Sequence, residues 1–175
     1  MNHILFFGLG FSARALAARL QARNWIISGT SRSDAGVGEI ELLGYRGLCF
    51  DSRTPLAASA FAGVTHVVIS APPDEAGDPV LNLHAHDFAM RASNIRWLAY
   101  LSTTGVYGDR GGEWVDEDSP LSPATGRGRR RLAAERQWLA LAAQKARRER
   151  AQGAIAQLGE AGSLELGRHV GEHRV

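Results

Sequence analysis

The chain has 175 residues, enough for one domain or one domain with an added fragment. Hydrophobic residues make up 45%, which is enough to build a core and excludes a wholly disordered chain. The formal net charge of +2 favours no class of partner, and the single cysteine, Cys49, excludes an internal disulfide and has no metal-ligand spacing around it.

The first apolar run, Ile4 to Phe7, is short and unframed by a charged leader or cleavage site, so it does not read as a signal peptide. No apolar stretch approaches the roughly 20 residues that cross a bilayer, and the expectation is a cytoplasmic protein without a membrane partner. A continuous apolar run ending at glycine suits a strand buried on both faces. Ser12–Arg23 reads as a helix, with Leu16 and Leu20 on one face beside Ala13 and Ala17. Trp25–Ser28 reads as a second strand, closed by Gly29-Thr30-Ser31-Arg32, followed by a short helix around Gly38–Leu43. Gly47–Phe50 is a weak third strand ending at Asp51, and Thr65–Ser70 a strong fourth, stopped by Ala71-Pro72-Pro73. Asp78–Ser93 reads as a helix with Pro79 in its first turn, Arg96–Ser102 as a fifth strand, and Arg127 to about Arg150 as a long helix after a loop over Gly105–Pro123. Strands alternating with helices predict an α/β protein, a Rossmann-type doubly wound sheet that is mainly parallel.

The sequence Gly8-Leu9-Gly10-Phe11-Ser12-Ala13 joins the first strand to the first helix with the spacing G-x-G-x-x-A. The first glycine permits a tight turn, the second lets backbone approach a pyrophosphate, and the alanine allows close helix–strand packing. The helix N-terminus then offers free amides to the phosphates. The alternative is a plain structural turn. At the end of the second strand, where NAD binders usually carry an acid, stand Ser31 and Arg32, with Asp34 a turn later. A hydroxyl and a guanidinium suit a 2′-phosphate, so NADP is expected over NAD, the alternative being an Arg32 that merely points into solvent.

Leu101-Ser102-Thr103-Thr104-Gly105-Val106-Tyr107-Gly108, taken with the glycine loop and with Glu117-Asp118-Ser119-Pro120-Leu121-Ser122-Pro123, resembles the extended and atypical short-chain dehydrogenase/reductase superfamily, in its NAD-dependent epimerase/dehydratase group. The resemblance covers about Met1–Leu141. It implies a dinucleotide cofactor bound by Gly8, Gly10, Phe11, Ser12, Ser31 and Arg32, with Asp51 at the adenine end and Ser70 and Ala71 beneath the ribose. It implies Thr103 as the catalytic hydroxyl that orients a sugar nucleotide or related carbonyl or hydroxyl substrate. It also implies a homodimer through the helices at Asp78–Ser93 and Arg127–Ala143. The family's catalytic Tyr and Lys positions fall on Arg127 and Arg131, followed by Glu135. An arginine stays protonated and cannot serve as a general base near pH 7, so a binding module or scaffold without turnover stands as the second reading. Tyr107 is a lesser candidate for a substitute acid.

The division expected is a dinucleotide-binding domain over 1–144 and a divergent basic tail over 145–175, with the substrate subdomain largely missing and the gene interrupted near residue 144. His84 and His86, two apart on a helix, share no face and predict no metal site. Asp116-Glu117-Asp118 reads as a solvated turn. The clusters Arg127, Arg129, Arg130, Arg131 and Lys145, Arg147, Arg148, Arg150 carry no nucleic-acid signature and read as helix surface, so no nucleic-acid partner is expected.

Overall fold

A computed structural model describes residues 1–155, with side chains up to residue 144. Five strands, β1 (His3–Phe7), β2 (Ile26–Ser31), β3 (Arg46–Cys49), β4 (His66–Ile69) and β5 (Trp97–Tyr100), form one sheet in the order β3-β2-β1-β4-β5. Every pairing is parallel, with Leu5 opposite Ser28 on one side and Val67 on the other. Four α-helices connect or follow the strands: α1 (Phe11–Gln21), α2 (Asp34–Leu42), α3 (Pro79–Met90) and α4 (Gly126–Ile155).

The central strand explains the layering. All five residues of β1 are buried, and successive side chains point to opposite faces. Leu5 and Phe7 join Val67, Ile69, Leu98, Tyr100, Phe88 and Trp138 in the core on the α3/α4 side. Ile4 and Phe6 join Ala13, Ala17, Ile40 and Val68 under α1 and α2. A sheet covered on both faces needs apolar residues at consecutive positions, and the uninterrupted runs of β1 and β4 supply them.

Element order and type follow the sequence reading, but several extents differ: α2 begins at Asp34 rather than around Gly38, α3 ends at Met90 rather than Ser93, and β5 ends at Tyr100 rather than Ser102. β2 does not stop at Ser28: Gly29, Thr30 and Ser31 stay in the strand, paired with Gly47, Leu48 and Cys49. Gly29 looks like punctuation in the sequence, but here it makes room, because a Cβ on it would come within 3.0 Å of Leu9 Cδ2. Two short 3-10 turns, over Ala58–Phe61 and Thr104–Val106, add to the expected elements. Helix α4 continues past residue 144 to Ile155, and the remainder of the expected tail, 156–175, lies outside the described residues. Among the described residues no helix is long and apolar enough to cross a membrane.

Candidate active site at the strand tips

In a parallel sheet of this order, the loops after β1 and β4 leave toward opposite faces, and a crevice opens beyond the strand ends. The residues nominated from the sequence for a cofactor all lie on this rim, one group per strand.

Gly8 turns the chain out of β1 with φ 88, and a Cβ there would press to 3.2 Å from the Ala71 amide nitrogen. Its own amide donates to Thr30 Oγ1 at 2.8 Å, and the Leu9 amide donates to the Thr30 carbonyl at 3.2 Å. The loop is thereby tied to the tip of β2. Sequence reasoning missed Thr30, whose only signal is a polar β-branched residue two positions past an apolar run. Gly10 caps α1 at φ −80 and ψ −166, backbone that any residue can adopt. A Cβ on Gly10 would meet nothing within 4 Å. Neither conformation nor packing therefore asks for glycine at this position. The first intrahelical bond runs from Arg14 N–H to the Gly10 carbonyl, so the amides of Phe11, Ser12 and Ala13 precede it. No acidic residue occupies this first turn, Phe11 and Ser12 are exposed, and Ala13 is buried against the sheet. Arg14 anchors the turn from outside, its Nε donating to the Leu9 carbonyl at 3.1 Å and its Nη2 pairing with Glu39 at 2.8 Å.

Ser31 ends β2, half-buried, and its hydroxyl fills the space where Gly36 lacks a side chain. Arg32 is exposed, and Ser33 caps α2 by accepting from the Gly36 amide at 3.3 Å. Asp51 follows β3 on the surface and accepts from the Arg53 and Thr54 amides, both at 2.9 Å. Those two donors hold its carboxyl below the usual range. Ser70 and Ala71, after β4, both donate to the Phe7 carbonyl at 2.8 Å, which ties the tip of β4 to that of β1.

Beyond β5, Thr103 caps the 3-10 turn with Oγ1, accepting from the Gly105 amide at 3.3 Å. The start of α4 packs hard on this turn, because a Cβ on Gly128 would lie 2.7 Å from the Gly105 carbonyl. Tyr107 is 2% exposed, in a small core with Val106, Val115 and Leu132, and so has no route to act as an acid at the surface. Arg127 and Arg131 part company. Arg127 is exposed. Arg131 is 7% exposed and turned inward, with Nη1 donating to the Leu101 carbonyl at 2.9 Å and to Tyr100 Oη at 3.3 Å. Its guanidinium also lies 5.5 Å over the Tyr100 ring. A cation so engaged clamps the end of β5, the strand that leads into Thr103.

Behind it sits Asp78, fully buried, which sequence reading gave only as a helix start. Its Oδ1 caps α3 by accepting from Val80 and Leu81 amides at 2.8 and 3.1 Å, and its Oδ2 accepts from Trp138 Nε1 at 3.0 Å. Burial pushes its carboxyl above the ordinary range, against those donors and the nearby Arg131 charge. Burial likewise pushes the Tyr100 phenol up to about 12. The pairing of Asp78 with Trp138 spans 60 positions and left no local signal.

The discounted features take structural roles. His84 is fully buried, donating from Nδ1 to Asp87 at 3.0 Å and accepting on Nε2 from the Leu56 amide at 3.1 Å. Asp116 folds its own turn, accepting from Ser119 Oγ at 2.8 Å. No cluster of three metal-ligating side chains occurs among the described residues.

No protein-family model matches the sequence, and no curated protein matches it. Solved structures do. A conserved protein of unknown function from Silicibacter pomeroyi is 44% identical, with TM-score 0.72, over 81% of this chain and 49% of its own. The UDP-glucuronic acid 4-epimerase of Bacillus cereus, in complex with NAD, is 19% identical, with TM-score 0.63, over 79% of this chain and 51% of its own. A short-chain dehydrogenase/reductase superfamily protein from Agrobacterium tumefaciens with bound NAD is 21% identical, with TM-score 0.57, over 77% and 43%. The chain thus spans about half the length of the structures it matches. Over that half, its structure matches the NAD-dependent epimerase/dehydratase proteins of the short-chain dehydrogenase/reductase superfamily.

Proposed function

We propose that the chain is the dinucleotide-binding part of an oxidoreductase or epimerase/dehydratase, with the pyrophosphate of a nicotinamide dinucleotide resting on Gly8-Leu9-Gly10-Phe11-Ser12-Ala13. The observation that carries this reading is Gly10. Its lack of a side chain serves nothing within the chain, and it stands over open space beside three amides at a helix start. An anionic group that must approach the backbone gives that glycine a purpose. In this reading Asp51, its carboxyl held below the usual range by the Arg53 and Thr54 amides after β3, would meet the adenine end, and Ser70 and Ala71 would lie beneath the cofactor ribose. Ser31 and Arg32 would favour NADP over NAD, because Arg32 is an exposed cation just past the end of β2 that can pair with a 2′-phosphate. Bound there, the nicotinamide would supply hydride chemistry, and Thr103 would orient the hydroxyl or carbonyl of a sugar nucleotide or related substrate. We place this activity in the cytoplasm, within a binding domain over 1–144 that pairs with a second copy through α3 and α4.

A second reading has its own observation. Arg127 offers a permanent cation where the resembling family has a phenol, and Arg131 is committed to the Leu101 carbonyl. A module that holds the dinucleotide without turnover fits those two residues. Titrating NADPH and NADH into the protein, then following absorbance with a panel of sugar nucleotides and simple carbonyls, separates the readings. Binding with hydride transfer supports the enzyme, binding without it supports the module, and failure to bind either dinucleotide removes both.

A further inference from the structure

The opposite end of the sheet holds a cavity that none of this chemistry uses. It has a volume of about 330 Å³ and lies between the segment before β4 (Phe61–Thr65) and the segment before β5 (Arg91–Arg96). The strand tips that carry the glycine loop are a full strand length away. We propose that this cavity is a second, separate anion site that takes a small phosphate-bearing metabolite between Arg91 and Arg96.

The lining is one-sided in charge. It contains two arginines with Thr65, Ser93 and Asn94, and no acidic residue. Arg91 is held in place but not satisfied. Its guanidinium lies 5.3 Å over the Phe61 ring, and Nη2 reaches the Ala58 carbonyl only at 3.5 Å. Asp87 Oδ1 forms a long ion pair with Arg91 at 3.9 Å from Nε, too far for a hydrogen bond, and the other oxygen of Asp87 already accepts from His84. Arg91 Nε is buried with no hydrogen-bond partner. A buried donor left without a partner costs free energy, and an oxyanion that reached Nε would recover it.

The surroundings add to the positive field. Arg96 is exposed at the mouth, and after burial its charge helps hold His66 below the ordinary imidazole value. Arg46, at the start of β3, acts in the same direction on His3. Two arginines in one lining with the Ser93 hydroxyl and the Asn94 amide suit a tetrahedral oxyanion carrying more than one charge, while the Thr65 hydroxyl is taken by His3 and His66.

Inorganic phosphate is the probe, titrated at constant ionic strength into ¹⁵N-labelled protein while amide resonances are followed. Saturable shifts are expected at Gly63, Thr65, Asn94 and Arg96, with dissociation in the roughly millimolar range suited to so small an ion. Any shifts at Gly8–Ala13 would report the glycine loop separately, so the two sites are told apart residue by residue. Arg96→Gln, at an exposed position that the core does not need, is expected to weaken the first set about tenfold, as loss of one charged donor pair should. The double variant Arg91→Gln/Arg96→Gln should abolish it, with a thermal midpoint recorded to show that it folds. Absence of saturable shifts around the cavity, or shifts unchanged in Arg96→Gln, would overturn the proposal.

Discussion

Two glycines two residues apart illustrate how different causes produce the same residue. Gly8 is demanded by the chain itself, through its φ of 88 and the nearby Ala71 amide. Gly8→Ala should therefore cost about 1–3 kcal/mol of stability, read by urea denaturation. Gly10 is not demanded by the chain. Gly10→Val, at a cap with no side-chain hydrogen bond to lose, should cost about 1 kcal/mol of stability. The same change should weaken dinucleotide binding at least about tenfold, because its side chain would occupy the pyrophosphate's approach. A Gly10→Val protein that binds NADPH like the parent would end the proposed function. At the neighbouring strand tip, Arg32→Glu should weaken NADPH about tenfold while changing NADH little, since it replaces attraction for a 2′-phosphate with repulsion. Equal effects on both dinucleotides would leave Arg32 as a solvent-facing side chain.

At the scale of elements, what the sequence reveals depends on the distance over which the cause acts. The apolar runs Ile4–Phe7 and Val67–Ile69 and the Asp-Pro start of α3 are local, and those elements stand where expected. The tip of β2 was misread because the reason for Gly29 lies in Leu9, on a loop twenty residues earlier. Arg131 stands at the resembling family's Lys position, and its side-chain partners are the Leu101 carbonyl and Tyr100, thirty or so positions away. The buried bond from Trp138 to Asp78 is likewise non-local, and it joins α4 to the first turn of α3. Trp138→Phe keeps the apolar bulk and strands a buried carboxylate oxygen, so a loss of about 1–3 kcal/mol is expected by chemical denaturation. A smaller loss at low pH would match the raised Asp78 carboxyl, which needs its donor less once protonated.

For the molecule as a whole, the alternation of strands and helices points to the layered α/β architecture, and in the order β3-β2-β1-β4-β5 the chain reverses its direction across the sheet between β3 and β4. Global stability carries a pH signature from one buried imidazole, His3, and one half-buried imidazole, His66. Burial is the main cause that lowers His3 and His66 below their ordinary 6.5, so the unfolded chain takes up protons first as the solution is acidified. Their contribution is complete above pH 6.5 and is lost as pH falls through the depressed folded values. The urea midpoint is therefore expected to drop on mild acidification, and His66→Phe should flatten part of that slope. A midpoint that stays level through this range would contradict the desolvation of both rings.

One carbonyl bears on how a ligand would arrive. Phe7 accepts from both Ser70 and Ala71, so the mouth between the two central strands is riveted at its hinge line. A dinucleotide bound as proposed would meet the two strand tips already joined by these bonds. Its capture should resemble a key meeting a cut lock, with arrival governed by diffusion and charge and little rearrangement left to slow it.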